Sequence, residues 1–167
     1  MGFQEIKYNR ASVRDAEAIT EHRMQFLKDA DPKTKEATLI KLRETVLEYF
    51  VQAIPTGDCV CYLASLDNKI VGGGGFVIRR CAPGLLLPDG ISAYIFNVYT
   101  APEFRRQGIA RHILRLLMQE AKQQNITRVE LHATEMGRTL YEELGFHPPN
   151  HVYLEWFPNN TFPQIGS

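Results

Sequence analysis

The chain has 167 residues, 44% hydrophobic and 23% charged, enough for one globular domain spanning residues 1–167 with a sizeable core. Its 19 Lys and Arg balance its 19 Asp and Glu, so no basic surplus marks a polyanion partner and nucleic acid is not expected. No run nears the roughly 20 apolar residues of a membrane span, the start "MGFQEIKYNR" lacks a signal-peptide core, and Ile6 stands where a myristoylated start carries Ser or Thr, so the chain reads as soluble and cytoplasmic.

In chain order, residues 3–9 form an opening strand. Ser12 with Asp15 three residues later offers an N-cap, and a helix follows to about Asp29. Ile19, His22, Arg23 and Phe26 share one face of it, so two polar residues fall where burial is expected. Either they reach out at the edge of the apolar stripe, or that face lines a polar cleft. Asp31-Pro32 opens a second helix carrying Leu39, Leu42, Val46, Tyr49, Phe50 and Ala53 to about Ile54, with Pro55 and Gly57 closing it.

"CVCYLASL" and "KIVGGGGFVIRR" then read as a hairpin turning at Asp67-Asn68. Gly72 to Gly75 mark close approach or a bend, not a phosphate loop, because no Gly-Lys-Ser/Thr and no helix follow them. Cys59, Cys61 and Cys81 lack metal-ligand spacing and read as buried free thiols, Cys59 and Cys61 on one strand face; no metal site is expected. "CAPGLLLPDG" is a loop more apolar than exposure requires, "ISAYIFNVYT" a strand, "RVELHA" a short strand, "RTLYEEL" a short helix and "HVYLEW" a last strand.

Between the "ISAYIFNVYT" and "RVELHA" strands, "APEFRRQGIARHILRLLMQE" runs from a turn into a helix from Gly108 to about Gln124, whose broad apolar face fixes its N-terminus by packing. A helix start presents unpaired amides and a partial positive charge. An acidic residue ordinarily suits that turn, yet here it holds Arg105, Arg106, Gln107 and Arg111, with Gly108 and Ala110 leaving room for a bulky anion.

Arg105-x-x-Gly108-x-Ala110, preceded by "YIFNVYT" and followed by "LHATEMGRTLYEELGF", resembles the GCN5-related N-acetyltransferases in block order and spacing over residues 92–146. The resemblance implies an α+β, layered fold with a mixed, mostly antiparallel central sheet of about six to seven strands flanked by about four helices. It further implies transfer of an acetyl group from acetyl-CoA to a primary amine on a small molecule, protein or peptide. The cofactor would be held by Asn97, Val98, Tyr99, Arg105, Arg106, Gln107, Gly108, Ile109, Ala110, Arg111 and Thr134, with an N–H near Val98 or Tyr99 polarising the carbonyl. Tyr141 matches the tyrosine that protonates the leaving thiolate.

The base stays open among Glu21, His22, Glu103 and Glu135, with His22 also a candidate for the acceptor site. Thr134 and Glu135 stand near where many members carry an asparagine that helps hold the cofactor. The alternatives are a non-catalytic acyl-CoA sensor or regulatory module and a binding domain for another phosphorylated ligand. The "GLLLP" loop and strand-rich C-terminus point to a homodimer.

Overall fold

The computed structural model describes residues 5–158. Strand β1 (Lys7–Arg10) leads to a short 3-10 turn (Val13–Asp15) and helix α1 (Ala16–Ala30). The Ser12–Asp15 capping box forms as expected, Ser12 N donating to Asp15 Oδ2 at 2.8 Å. It caps the 3-10 turn, so the α-helix itself begins four residues later than Ser12.

Asp31 does not open the second helix. Its amide closes α1 on Leu27 O, and its carboxylate accepts from Lys33 N and the Thr34 hydroxyl, which spends it on the connecting turn. Helix α2 (Glu36–Thr56) starts later and runs one residue past Pro55, ending at Gly57 with φ 78.

Strands β2 (Cys59–Leu66), β3 (Lys69–Arg80) and β4 (Ile91–Thr100), helix α3 (Ile109–Gln123), strand β5 (Val129–Glu130) and helix α4 (Glu135–Glu143) complete the described chain. The sheet order is β1-β2-β3-β4-β5, antiparallel except for β4 with β5. Five strands are thus present among the described residues, fewer than the six to seven expected, and of "RVELHA" only Val129–Glu130 is strand. Residues 151–156 form no strand, because the edge they would extend is two residues long and offers no ladder. Val152, Tyr153, Leu154 and Trp156 are left exposed.

Each face of the sheet carries its own core. One packs Val60, Val71, Phe76 and Ile95 against Ile109, Ile113, Leu114, Leu117 and Ala121 of α3. The other packs Cys59, Cys61 and Leu63 against Ile19 of α1 and Val46, Phe50 and Ala53 of α2. Cys59 and Cys61 are buried free thiols on one face, 3.7 Å apart, whereas Cys81 is exposed beyond the end of β3, outside both cores. No helix of the described residues is long and apolar enough to cross a membrane.

The glycine run explains how closely the layers approach. A Cβ on Gly72 would lie 2.7 Å from Ile109 Cγ2, so the first residue of α3 rests directly on β3. One on Gly75 would meet Val60 O at 2.7 Å and Cys61 Sγ at 2.8 Å. A carbonyl of the neighbouring strand cannot rotate away, so Gly75→Ala should destabilise by about 3 kcal/mol, roughly 10 °C in melting temperature. Gly84→Ala, with nothing within 4 Å, is the control; equal melting of both variants would refute this account.

Candidate active site

The chain leaves β4 at Thr100, makes a 3-10 turn (Pro102–Phe104), and folds back through two left-handed residues, Arg106 (φ 65) and Gly108 (φ 81). The first backbone bond of α3 is His112 N to Gly108 O at 3.0 Å. The amides of Ile109, Ala110 and Arg111 therefore have no backbone acceptor, as the start of a helix dictates. Ile109 is buried, which fixes this ring of donors against the sheet, while Arg106, Gln107 and Gly108 are exposed around it.

The arginines differ in their engagement. Arg105 donates from Nε to Thr100 O at 3.1 Å, and its Nη2 lies 3.8 Å from Asp29. Arg111 is ion-paired with Glu143. Arg106, exposed, has no ion pair among the described residues.

Beside the cradle the sheet opens. Strand β4 pairs with β5 only at Ala93↔Val129 and Tyr94↔Glu130. From Ile95 to Thr100 that edge of β4 has no strand partner among the described residues. On the β3 side the register passes from Gly73↔Tyr99 to Gly75↔Phe96, so Gly74 alone opposes Asn97 and Val98. This bulge carries Asn97 at φ 57, a conformation asparagine tolerates better than most residues. Ala101 N donates to Val71 O on the β3 side, and alternation back along the strand turns the Val98 amide toward the open edge.

Helix α1 braces the bulge. His22, 7% exposed, lies with Nε2 3.2 Å from Tyr99 O and Nδ1 3.0 Å from Asn97 Nδ2. Nε2–H therefore donates to the carbonyl and Nδ1 accepts from the amide, leaving neither nitrogen to take a substrate proton. Burial pushes the imidazole pKa down to about 4. Because the folded value lies below the ordinary 6.5, the stability held by neutral His22 is complete above pH 6.5 and lost as pH falls through about 4. The loss amounts to about 3 kcal/mol at most. Wild type and His22→Gln, melted from pH 7 to pH 4.5, should converge as pH falls; a constant gap would sink this reading.

Tyr99 extends the brace, its hydroxyl donating to Asp29 at 2.5 Å. Burial and that carboxylate push its pKa up to about 12. Asn97 Oδ1 and Thr100 Oγ1 are buried without a hydrogen-bond partner among the described residues, two orphan polar atoms on the strand that borders the slot.

Tyr141 projects from α4, packed edge-on against Phe146 at 6.0 Å, its phenol held above the usual pKa by burial and then by nearby Tyr94. Thr134 caps α4, its hydroxyl accepting from Gly137 N at 3.2 Å. The carboxylates weighed as bases are paired with other residues or exposed. Glu21 is exposed and paired with Arg43 at 2.6 Å, and Glu103 with Lys69 at 3.1 Å. Glu135 is exposed in the first turn of α4. Sequence reasoning passed over Asp29, Tyr94 and His132. The last two join across the point where β4 and β5 part, Tyr94 Oη lying 2.6 Å from His132 Nδ1, and with Tyr141 they line a cleft of about 850 Å³.

Comparison with known proteins gives this arrangement a context. The model of the acetyltransferase (GNAT) family matches residues 18–146. A predicted acetyltransferase from Clostridium acetobutylicum, solved with acetyl-CoA, is 26% identical, with a TM-score of 0.85 over 94% of this chain and 99% of that one. A GCN5-related N-acetyltransferase from Ralstonia eutropha shares 22% identity, with a TM-score of 0.78 over 91% of this chain and 99% of that one. The aminoglycoside N-acetyltransferase AAC(6')-Iy, solved with CoA, shares 12% identity and the fold, with a TM-score of 0.70 over 94% and 97%. No curated protein matches the chain.

Proposed function

Because the chain belongs to the acetyltransferase (GNAT) family, we propose that it transfers the acetyl group of acetyl-CoA directly to a primary amine. The observation that carries this is one continuous path: an edge of β4 with no strand partner among the described residues, leading to the unpaired amides at the start of α3. The amides of residues 106–111, with Arg106 beside them, suit a pyrophosphate. The backbone of Asn97, Val98 and Tyr99 lies where a pantetheine arm would run between the strands. The Val98 N–H, aimed at the slot, would polarise the thioester carbonyl. Arg105 and Arg111 contribute charge at the rim while holding their own carboxylates, and Thr134 supports the cofactor through the cap of α4. Tyr141 donates the proton to the departing thiolate.

The acceptor is an amine on a small molecule, a protein or a peptide. AAC(6')-Iy is named for aminoglycosides and two other similar structures for a ribosomal-protein alanine and for glucosamine-6-phosphate, so fold alone does not choose among them. The protein works in the cytoplasm, where buried thiols such as Cys59 and Cys61 stay reduced.

The test is calorimetric titration with acetyl-CoA, CoA, ATP and NAD, followed by thiol release in a panel of an aminoglycoside, a polyamine, an amino sugar and a peptide with a free N-terminus. Binding confined to acetyl-CoA and CoA, with thiol release on at least one amine, is expected. Preference for ATP or NAD would overturn the assignment, and acetyl-CoA binding without turnover on any amine would make the chain a sensor.

Leu85 and Leu86, 101% and 84% exposed, are the apolar surface proposed for homodimer contact. Sedimentation should give a dimer for the wild type and a monomer for Leu85→Asp with Leu86→Asp. A monomeric wild type removes the dimer.

A further inference from the structure

An alkylamine with a pKa of about 10 arrives protonated at neutral pH, so the transfer needs a group that accepts its proton. The carboxylates around the cleft are committed elsewhere. Glu130 pairs with Arg128 at 2.9 Å and accepts from Ser92 at 3.1 Å, and Glu142 pairs with Arg138 at 2.7 Å. His22 has both ring nitrogens bound within the fold. His132 does not.

We propose that His132, oriented by Tyr94, is the proton acceptor for the amine; this rests on the acetyltransferase reading above. Tyr94 and Glu130 are the last paired residues of β4 and β5, and His132 stands two residues past that pair, at the mouth of the opening. Its Nδ1 lies 2.6 Å from Tyr94 Oη, while Nε2 has no hydrogen-bond partner among the described residues. The Arg79 guanidinium, 3.7 Å over the Tyr94 ring, fixes the phenol that fixes the imidazole. Tyr153 is tilted beside the imidazole at 6.0 Å between ring centres, and Tyr141 lines the same cleft. Val98 is four residues beyond Tyr94, at most roughly 13 Å along the strand, which leaves room for the amine and a bridging water between the Val98 N–H and His132. Being exposed, it can return its proton to solvent.

With Nδ1–H donated to the phenol oxygen, the Nε2 lone pair takes one proton from the bound ammonium. The freed nitrogen lone pair forms the C–N bond to the thioester carbonyl carbon. The C–S bond breaks with its electron pair passing to sulfur, and Tyr141 protonates the thiolate. The second proton on nitrogen returns to the Tyr141 phenolate through water. The products are an acetamide, the free thiol and one proton held by His132. Tyr94 and Tyr153 contact His132, and the other titratable and charged groups lining the cleft with it are Arg79, Lys122, Arg128, Glu130, Arg138, Tyr141, Glu142, His147 and His151.

The experiment compares wild type, His132→Gln and Tyr94→Phe on two acceptors: the alkylamine found in the panel above, and hydroxylamine, which is unprotonated at neutral pH. His132→Gln should lower kcat/KM for the alkylamine by about 10²- to 10³-fold and abolish the acid limb of its pH profile. It should cost hydroxylamine less than roughly fivefold, since no proton need be removed before attack. Tyr94→Phe should shift the acid limb while leaving acetyl-CoA binding unchanged. Equal losses on both acceptors, or no loss on either, overturn the proposal.

A second arm needs no turnover. In ¹⁵N-resolved imidazole spectra of the wild type with CoA, His132 should carry its proton on Nδ1 and lose that preference in Tyr94→Phe. A proton on Nε2 overturns the proposal. A wild type that binds acetyl-CoA yet acetylates nothing would instead sink the acetyltransferase reading, and the spectra would still decide the Tyr94–His132 pair.

Discussion

Gly108→Asp should weaken acetyl-CoA binding by about 100-fold while leaving the fold close to intact. A Cβ at this position meets nothing within 4 Å, so the new side chain enters the space in front of α3 without a clash. Its carboxylate is drawn to the same unpaired amides of Ile109, Ala110 and Arg111 and to Arg106, and so occupies the cradle as an internal anion. A pyrophosphate must then displace that carboxylate or bind beside it. Like charges held together cost several kcal/mol, and about 3 kcal/mol corresponds to about 100-fold in Kd. Forcing a side chain into φ 81 costs roughly 1 kcal/mol, which the carboxylate offsets by satisfying the helix start. Melting should therefore move by only a few degrees. Gly108→Ala carries the same backbone strain without the charge, and should bind acetyl-CoA within about tenfold of wild type. If calorimetry finds Gly108→Asp binding as tightly as Gly108→Ala, the cradle is not the anion site.

That the helix start with its glycine and arginines could be read from sequence follows from its being local. A helix start, a glycine and adjacent arginines lie within a few consecutive residues, and the apolar face that fixes them has helical period. The Ser12–Asp15 box and the glycine run were legible for the same reason, since each is a short-range constraint on backbone or space. Asp31-Pro32 misled because a capping residue and a proline also suit a turn, and Asp31 is captured by Lys33 N and Thr34 before a helix can use it. The last strand failed because a strand is defined by its neighbour. "HVYLEW" has the pattern, but beside it β5 has only two residues. Tyr94 and His132 lie 38 residues apart and meet only through parallel pairing of β4 with β5, so nothing near either residue announces the other. His22 shows the converse. Its polar position on an apolar face was conspicuous, yet only the structure shows that Asn97 and Tyr99 take both its nitrogens.

Tyr141→Phe should lower kcat by about 10²-fold or more while leaving acetyl-CoA affinity unchanged. The substitution removes one hydroxyl and keeps the ring, so the edge-on contact with Phe146 and the close packing over Gly137 persist and α4 stays seated. On the proposed mechanism, what is lost is the proton for sulfur. A thiolate with an ordinary pKa near 8.5 is a tolerable leaving group unaided, so the loss should fall toward the lower end of the range for general acids. Burial raises the Tyr141 pKa, which keeps the phenol protonated at neutral pH and makes it a donor, not a base. The sign of the pH dependence follows. Activity should persist as pH rises through 10, the ordinary phenol value, and fall only above it, whereas Tyr141→Phe should show no such alkaline limb. Thiol release under single-turnover conditions separates this from product release. A kcat within about threefold of wild type would show that water protonates the thiolate and that Tyr141 is a packing residue of α4.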